Sequence, residues 1–200
     1  MPGGEQGVRI SLSAVVIALR DRRACVLTTE GEDGAAALPF GPFVPTRDRT
    51  FELALRAFVT AQTGFHLGFV EQLYTFGDAG RDSPRATPGP DHRREVSIGY
   101  LALTADSAAA PTADARWTPV LDFFPWEDRR QGDAGATGAL TAGLRGWAGD
   151  DARRLSRCDS LFALTPAHRW NEGRVLERYE LLYEAGLVAA AARDQERPLP

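Results

Sequence analysis

Cysteine is scarce in this chain, with two residues in 200, Cys25 and Cys158. They lie far apart in sequence, with no CxxC and no Cys/His ligand spacing. A disulfide framework and a zinc site are therefore not indicated, and a reduced, cytoplasmic chain is the expectation. No apolar run approaches the ~20 residues needed to span a bilayer. The opening MPGGEQG lacks the charged and apolar regions of a signal peptide. Positive charge is not in excess: 23 Lys+Arg against 27 Asp+Glu leave a net charge of −4, which gives no overall field toward nucleic acid. The three histidines, His66, His92 and His168, are isolated from one another and from any Ser or Cys at a catalytic spacing. No internal repeat is present.

A hydrophobic content of 44% and a charged content of 25% are those of an ordinary globular protein. Two hundred residues suit one domain, or a domain of about 150 residues with an appendage. Residues 8–19 alternate and then become continuously apolar, and 24–29 return after a polar turn, so a hairpin is expected. Further strands are expected at 69–76, 95–103 and 116–119, and a short strand or turn at 161–164. Helices are expected at 139–148 and 170–185. Segment 121–130 is dense in aromatic and acidic residues. Strands interleaved with helices indicate an α+β sheet.

The most informative stretch is 38–65, LPFGPFVPTRDRTFELALRAFVTAQTGF. Pro39, Gly41, Pro42 and Pro45 exclude regular structure before a helix. Thr50 is a candidate N-cap, and Asp48 sits where the helix dipole favours an anion. Phe51, Leu55, Phe58, Val59 and Gln62 share one face, and Gly64 is placed for a left-handed C-terminal cap. This loop–helix–loop resembles the Nudix box: Gly, five residues, Glu, seven residues, Arg-Glu, an aliphatic, any residue, Glu-Glu, any residue, Gly, an aliphatic. Anchored on Gly64, the aliphatic inside the helix is Val59 and the closing apolar residue is Phe65. Leu38-Pro39 matches the Leu-Pro before the pattern's first glycine, with Gly41 close behind, and Gly41 to Gly64 is two residues longer than the pattern. The resemblance implies a Nudix-like mixed sheet sandwiched between helices over residues 1–165, followed by a C-terminal helical extension over 166–200.

The chemistry of that box is absent. Ala57 takes the place of the Arg, Phe58 of the Glu after it, and Ala61-Gln62 of the Glu pair, while Arg49 falls on the earlier Glu. Carboxylates three and four apart share a helix face and in that family hold Mg²⁺ against a diphosphate. Without them no metal and no cofactor are expected. A divergent hydrolase would have to draw metal ligands from elsewhere, such as Glu52, Glu71 or Glu95.

A second resemblance lies in YTFGDAGRD, residues 74–82, followed by the strand EVSIGYLAL. It is similar to the segment after the helix in the Nudix-related transcriptional regulators of NAD metabolism, which join a degenerate Nudix domain, sensing an ADP-ribose-type nucleotide, to a winged helix. This chain inserts SPRATPGPDHRR before the strand. The resemblance implies a ligand site in which Arg81 and Arg94 meet phosphate and Asp82 meets ribose hydroxyls. Gly41 in the entry loop and Trp126, an aromatic wall for a base, complete the expected set. Residues 171–188 also resemble the segment joining the two halves of those regulators, but the dozen residues that follow are too few for a winged helix, so no DNA binding by this chain alone is expected. The expectation is a non-catalytic domain that binds an ADP-ribose-like or adenine nucleotide, as a homodimer without membrane association. The alternatives are the divergent hydrolase and an interaction domain with a vestigial pocket.

Overall fold

The computed structural model describes residues 7–31, 34–77, 94–105, 112, 114–130 and 138–194. Its sheet is built from a long hairpin. Strand β1 (Val8–Arg20) returns as β2 (Arg23–Glu30) through Asp21 and Arg22, both at positive φ, 47° and 62°. Two left-handed residues in succession give a tight turn whose twist matches that of the strands. The pairing holds from Arg20 opposite Arg23 only as far as Ile17 opposite Val26. Beyond that point β1 pairs with β4 (Phe40–Pro42), and β2 pairs with the two-residue β3 (Ala36–Ala37). The segment carrying β3 and β4 is thus wedged into the opening between β1 and β2, and the Ala14 amide donates to the Pro39 carbonyl at 2.9 Å.

On the other edge of β1 lies β6 (Arg94–Thr104), parallel to it from Val8 opposite Arg94 to Ala18 opposite Thr104. Strand β5 (Glu71–Phe76) is antiparallel to β6, with a bulge between Gln72 and Tyr74. Strand β7 (Ala115–Pro119) is antiparallel to β2. One parallel ladder among antiparallel ones makes this seven-stranded sheet mixed, as the sequence led one to expect.

Helix α1 (Phe51–Thr63) packs on β1 and β4. Thr50 caps it, its hydroxyl accepting from the Leu53 amide, and Gly64 ends it at φ 69°. Both caps stand where the sequence placed them. Asp48 differs: its carboxylate accepts from the Val44 amide at 2.8 Å and pairs with Arg47, so it closes the turn before the helix rather than facing the helix end. The Arg47 hydrogen bond first, and the Val44 amide second, hold its pKa below the usual carboxylate value. Ala54, Leu55 and Val59 of α1 meet Leu12, Ala14 and Val16 of β1 and Ile98, Tyr100 and Ala102 of β6 in one core. These strand residues are alternate positions, so they share a single sheet face. Full burial of each Leu or Val contributes about 1.5–3 kcal/mol.

The chain divides into two compact units, Met1–Asp122 and Phe123–Pro200, whereas the sequence reading placed its division after residue 165. Helix α2 (Val120–Phe123) spans the junction. The second unit holds α3 (Gly138–Ala148), α4 (Ala152–Phe162), α5 (Val175–Glu184) and α6 (Ala189–Asp194). Leu144 of α3, Leu161 and Phe162 of α4, and Leu181 and Leu182 of α5 form one core. Helices on both sides of residue 165 therefore bury each other. Residues 161–164, expected as a strand or turn, are the end of α4 and its left-handed stop at Ala163.

Among the described residues Arg178 is the largest fully buried side chain. Its guanidinium donates twice to Glu127 at 2.7 Å and once to the Asn171 carbonyl at 2.8 Å, and lies 3.8 Å from the centre of the Trp170 ring. This is the paired, hydrogen-bonded arrangement that a buried charge requires. Among the described residues no helix is long and apolar enough to cross a membrane.

Candidate functional site

The parting of β1 from β2 leaves a cleft of about 540 Å³ at the end of β2. Its walls are Thr29 and Glu30 of β2, Phe40 of β4, Ala61 and Gln62 of α1, and Thr112 and Asp114 ahead of β7. Strands that separate within a sheet create such openings, because the wedge between them cannot fill the full width.

Helix α1 brings to this cleft the two positions at which the Nudix pattern places its Glu pair, and neither side chain is acidic. Ala61 is exposed and offers no oxygen. Gln62 is occupied with structure: its amide nitrogen donates to the Phe40 carbonyl at 2.7 Å, and its amide oxygen accepts from the Phe40 nitrogen at 3.3 Å. The side chain closes a ring with one residue of β4. A carboxylate could accept but not donate, so only an amide fits both bonds. Thr112 braces the same helix end, its hydroxyl donating to the Gln62 carbonyl at 3.0 Å and its amide to the Thr63 carbonyl at 3.0 Å.

Phe58, at the third Glu position, lies against Gly41. A Cβ on Gly41 would stand 2.9 Å from the Phe58 ring, so glycine is what lets the helix come this close. The face that would hold Mg²⁺ therefore presents a phenyl ring, a methyl group and a committed amide, and these residues do not fit that ion. Among the described residues no group of three or more His, Cys, Asp or Glu could hold a metal. Arg56, one residue before the Arg position of the pattern, ties α1 to the loop after it. It donates to the Leu67 carbonyl, to the Gly68 carbonyl at 2.7 Å and to Glu52.

The expected ligand set is only partly located. Arg81 and Asp82 lie outside the described residues. The backbone of Arg94 opens β6 opposite Val8, at the same end of the sheet as β4 and the cleft. Gly41 is buried under Phe58 rather than facing open space. Trp126 belongs to the second unit. The substitute metal ligands are not gathered: Glu52 pairs with Arg56 and Glu95 accepts from the Ser11 hydroxyl at 2.8 Å. Glu71 sits opposite Leu101, six residues along β6 from Glu95, or about 20 Å away. His66 lies 3.5 Å from the Thr60 hydroxyl and His168 3.0 Å from that of Thr165, both as local contacts; His92 lies outside the described residues.

Sequence reasoning passed over the carboxylates that do line the cleft, Glu30 and Asp114. They are adjacent across the β2–β7 ladder, the Glu30 amide donating to the Asp114 carbonyl at 3.3 Å. The available signal was that both flank strand segments whose register could be paired, but 83 residues of intervening chain hide it.

No family model and no curated protein matches the chain. The solved structures similar to it include Nudix domains. The NUDIX domain of Shewanella oneidensis NrtR, complexed with ADP ribose, is 24% identical over 61% of this chain and 79% of that one, at a TM-score of 0.49. Shewanella oneidensis NrtR complexed with a 27mer DNA is 24% identical over 57% of this chain and 52% of that one, at 0.47. A MutT/nudix family protein from Enterococcus faecalis is 20% identical over 58% of this chain and 45% of that one, at 0.44. In the last two the match spans about half of the other chain or less.

Proposed function

We propose that this chain is a non-catalytic, Nudix-like sensor of an ADP-ribose-like or adenine nucleotide, tied to the regulation of NAD metabolism. The observation that carries the reading is the double hydrogen bond from Gln62 to Phe40. At the position where a hydrolase of this pattern keeps a metal-binding carboxylate, the side chain is spent on holding the cleft wall. With no metal to neutralise a diphosphate, that task falls to arginine forks, for which the sequence offers Arg81 and Arg94, with Asp82 for the ribose. The net charge of −4 gives no general attraction to DNA, and in this reading the chain alone does not bind DNA specifically. It works in the cytoplasm as a homodimer, with its buried thiols Cys25 and Cys158 reduced.

The test is calorimetric titration with ADP-ribose, NAD and ATP, beside an assay for hydrolysis with Mg²⁺. A second reading, a divergent hydrolase, is favoured by Glu30 and Asp114 in the cleft. It requires Mg²⁺-dependent turnover that Glu30→Gln and Asp114→Asn abolish.

A further inference from the structure

The helical unit carries a second opening that the nucleotide reading does not use, a groove of about 860 Å³ lined by Phe123, Phe124, Trp126, Tyr179, Leu176 and Leu187. Its volume falls in the range of small-molecule sites, about 300–1,000 Å³. The aromatic walls are held in place: Phe124 meets Trp126 edge-on at 5.9 Å and Tyr179 at 6.4 Å. Beneath them Glu127, next to Trp126 in sequence, is locked to Arg178, one residue before Tyr179.

None of the described side chains that line the groove carries a formal charge. That argues against a phosphate or carboxylate ligand, since a buried ion without a counter-charge is costly. Eleven of the described residues line it, about half the 20–30 per side of a stable protein interface. The Trp126 indole nitrogen is buried with no hydrogen-bond partner among the described residues. Leu176 stays 69% exposed and Val175 42% exposed on the rim, so the groove is open to an incoming molecule.

We infer that this groove binds an uncharged, flat, predominantly apolar small molecule, stacked between the aromatic walls. The groove and the cleft at Gln62 share no lining residue, and the inference does not rest on the nucleotide reading.

The test is titration of the full chain with the uncharged dye N-phenyl-1-naphthylamine, followed by dye fluorescence and by calorimetry. Saturable binding of one dye per chain is expected, weakened at least tenfold by Leu176→Asp and by Val175→Asp. Both substitutions put a carboxylate at the groove from exposed positions, and Val175→Asp lies in the first turn of α5, where a carboxylate suits the helix. Circular dichroism identifies a variant that has not folded, and the other then decides. Absence of saturable binding, or binding unchanged in the folded variants, overturns the inference. So does a chain dimer that excludes the dye and dissociates in the variants, since the groove is then an interface between copies. ADP-ribose binding is expected unchanged in both variants, which keeps this result independent of the nucleotide site.

Discussion

The side chain of Gln62 pairs with both main-chain polar groups of Phe40, and so joins the last turn of α1 to the strand wedged between β1 and β2. The residue that a metal-dependent relative of this pattern would spend on catalysis is here part of the fold. Replacement by glutamate keeps the size and removes the donor, leaving the Phe40 carbonyl facing a carboxylate. Gln62→Glu is therefore expected to destabilise the first unit by about 1 kcal/mol and to confer no Mg²⁺-dependent turnover. Urea unfolding followed by circular dichroism, with the hydrolysis assay beside it, checks both. Turnover in this single variant would show that the cleft lacks only one carboxylate.

The contact of Gly41 with Phe58 sets how closely α1 approaches β4. A methyl group at residue 41 must push the ring aside, so Gly41→Ala is expected to cost about 1–3 kcal/mol. In a Phe58→Ala background the same change should cost much less, because the obstacle is gone. Equal costs in the two backgrounds would place the constraint elsewhere.

Much of this architecture is legible in the sequence, because its signals are local. Thr50, the apolar spacing through Val59, and Gly64 define α1 to within a residue, since a cap, a periodicity and a left-handed stop all lie within fifteen positions of one another. The β1–β2 hairpin and β6 follow from apolar patterning. Three features are not legible. Strands β3 and β4 are two and three residues long among prolines, and they form because the parted β1 and β2 need partners. Helix α4 is rich in arginine and has few apolar residues, so no helix was expected over Ala152–Phe162. The cleft is assembled from the ends of β2, α1 and β7, and no local motif announces such a site. The nucleotide contacts expected at Arg81 and Asp82 follow from the family resemblance, because no local pattern distinguishes a phosphate-binding arginine from a solvated one.

Arg178 and Glu127 give the helical unit its most demanding interaction. Glu127→Ala leaves a fully buried guanidinium without its counter-ion, and the expected loss is about 3–5 kcal/mol. Replacing both residues together by apolar side chains of similar volume should lose much less, because no charge is stranded. Denaturant unfolding of the two variants makes the comparison, and a double variant as unstable as Glu127→Ala would contradict it.

Asp151 caps α4, its carboxylate accepting from the amides of Arg153 at 2.8 Å and Arg154 at 3.1 Å. The Arg154 amide first, and the Arg153 amide second, lower its pKa. A carboxylate whose pKa is depressed on folding stabilises fully above its unfolded value, about 3.9, and loses that stability as pH falls through the lower native value. The helical unit should therefore lose stability in this acid window, and Asp151→Asn, which still caps the helix, should flatten that part of the profile. Thermal unfolding monitored from pH 2 to 6 is the check.

The central claim is that the first unit binds a nucleotide diphosphate and does not cleave it. Calorimetric titration of ADP-ribose into the wild-type chain and Arg81→Ala, with Mg²⁺ present and the recovered ligand analysed for products, tests it directly. The account predicts a dissociation constant in the micromolar range, about −8 kcal/mol, weakened about tenfold or more by Arg81→Ala as a charged hydrogen bond is lost, with ADP-ribose recovered intact. No binding heat at any accessible concentration, or turnover at about 1 per second or faster, would contradict it.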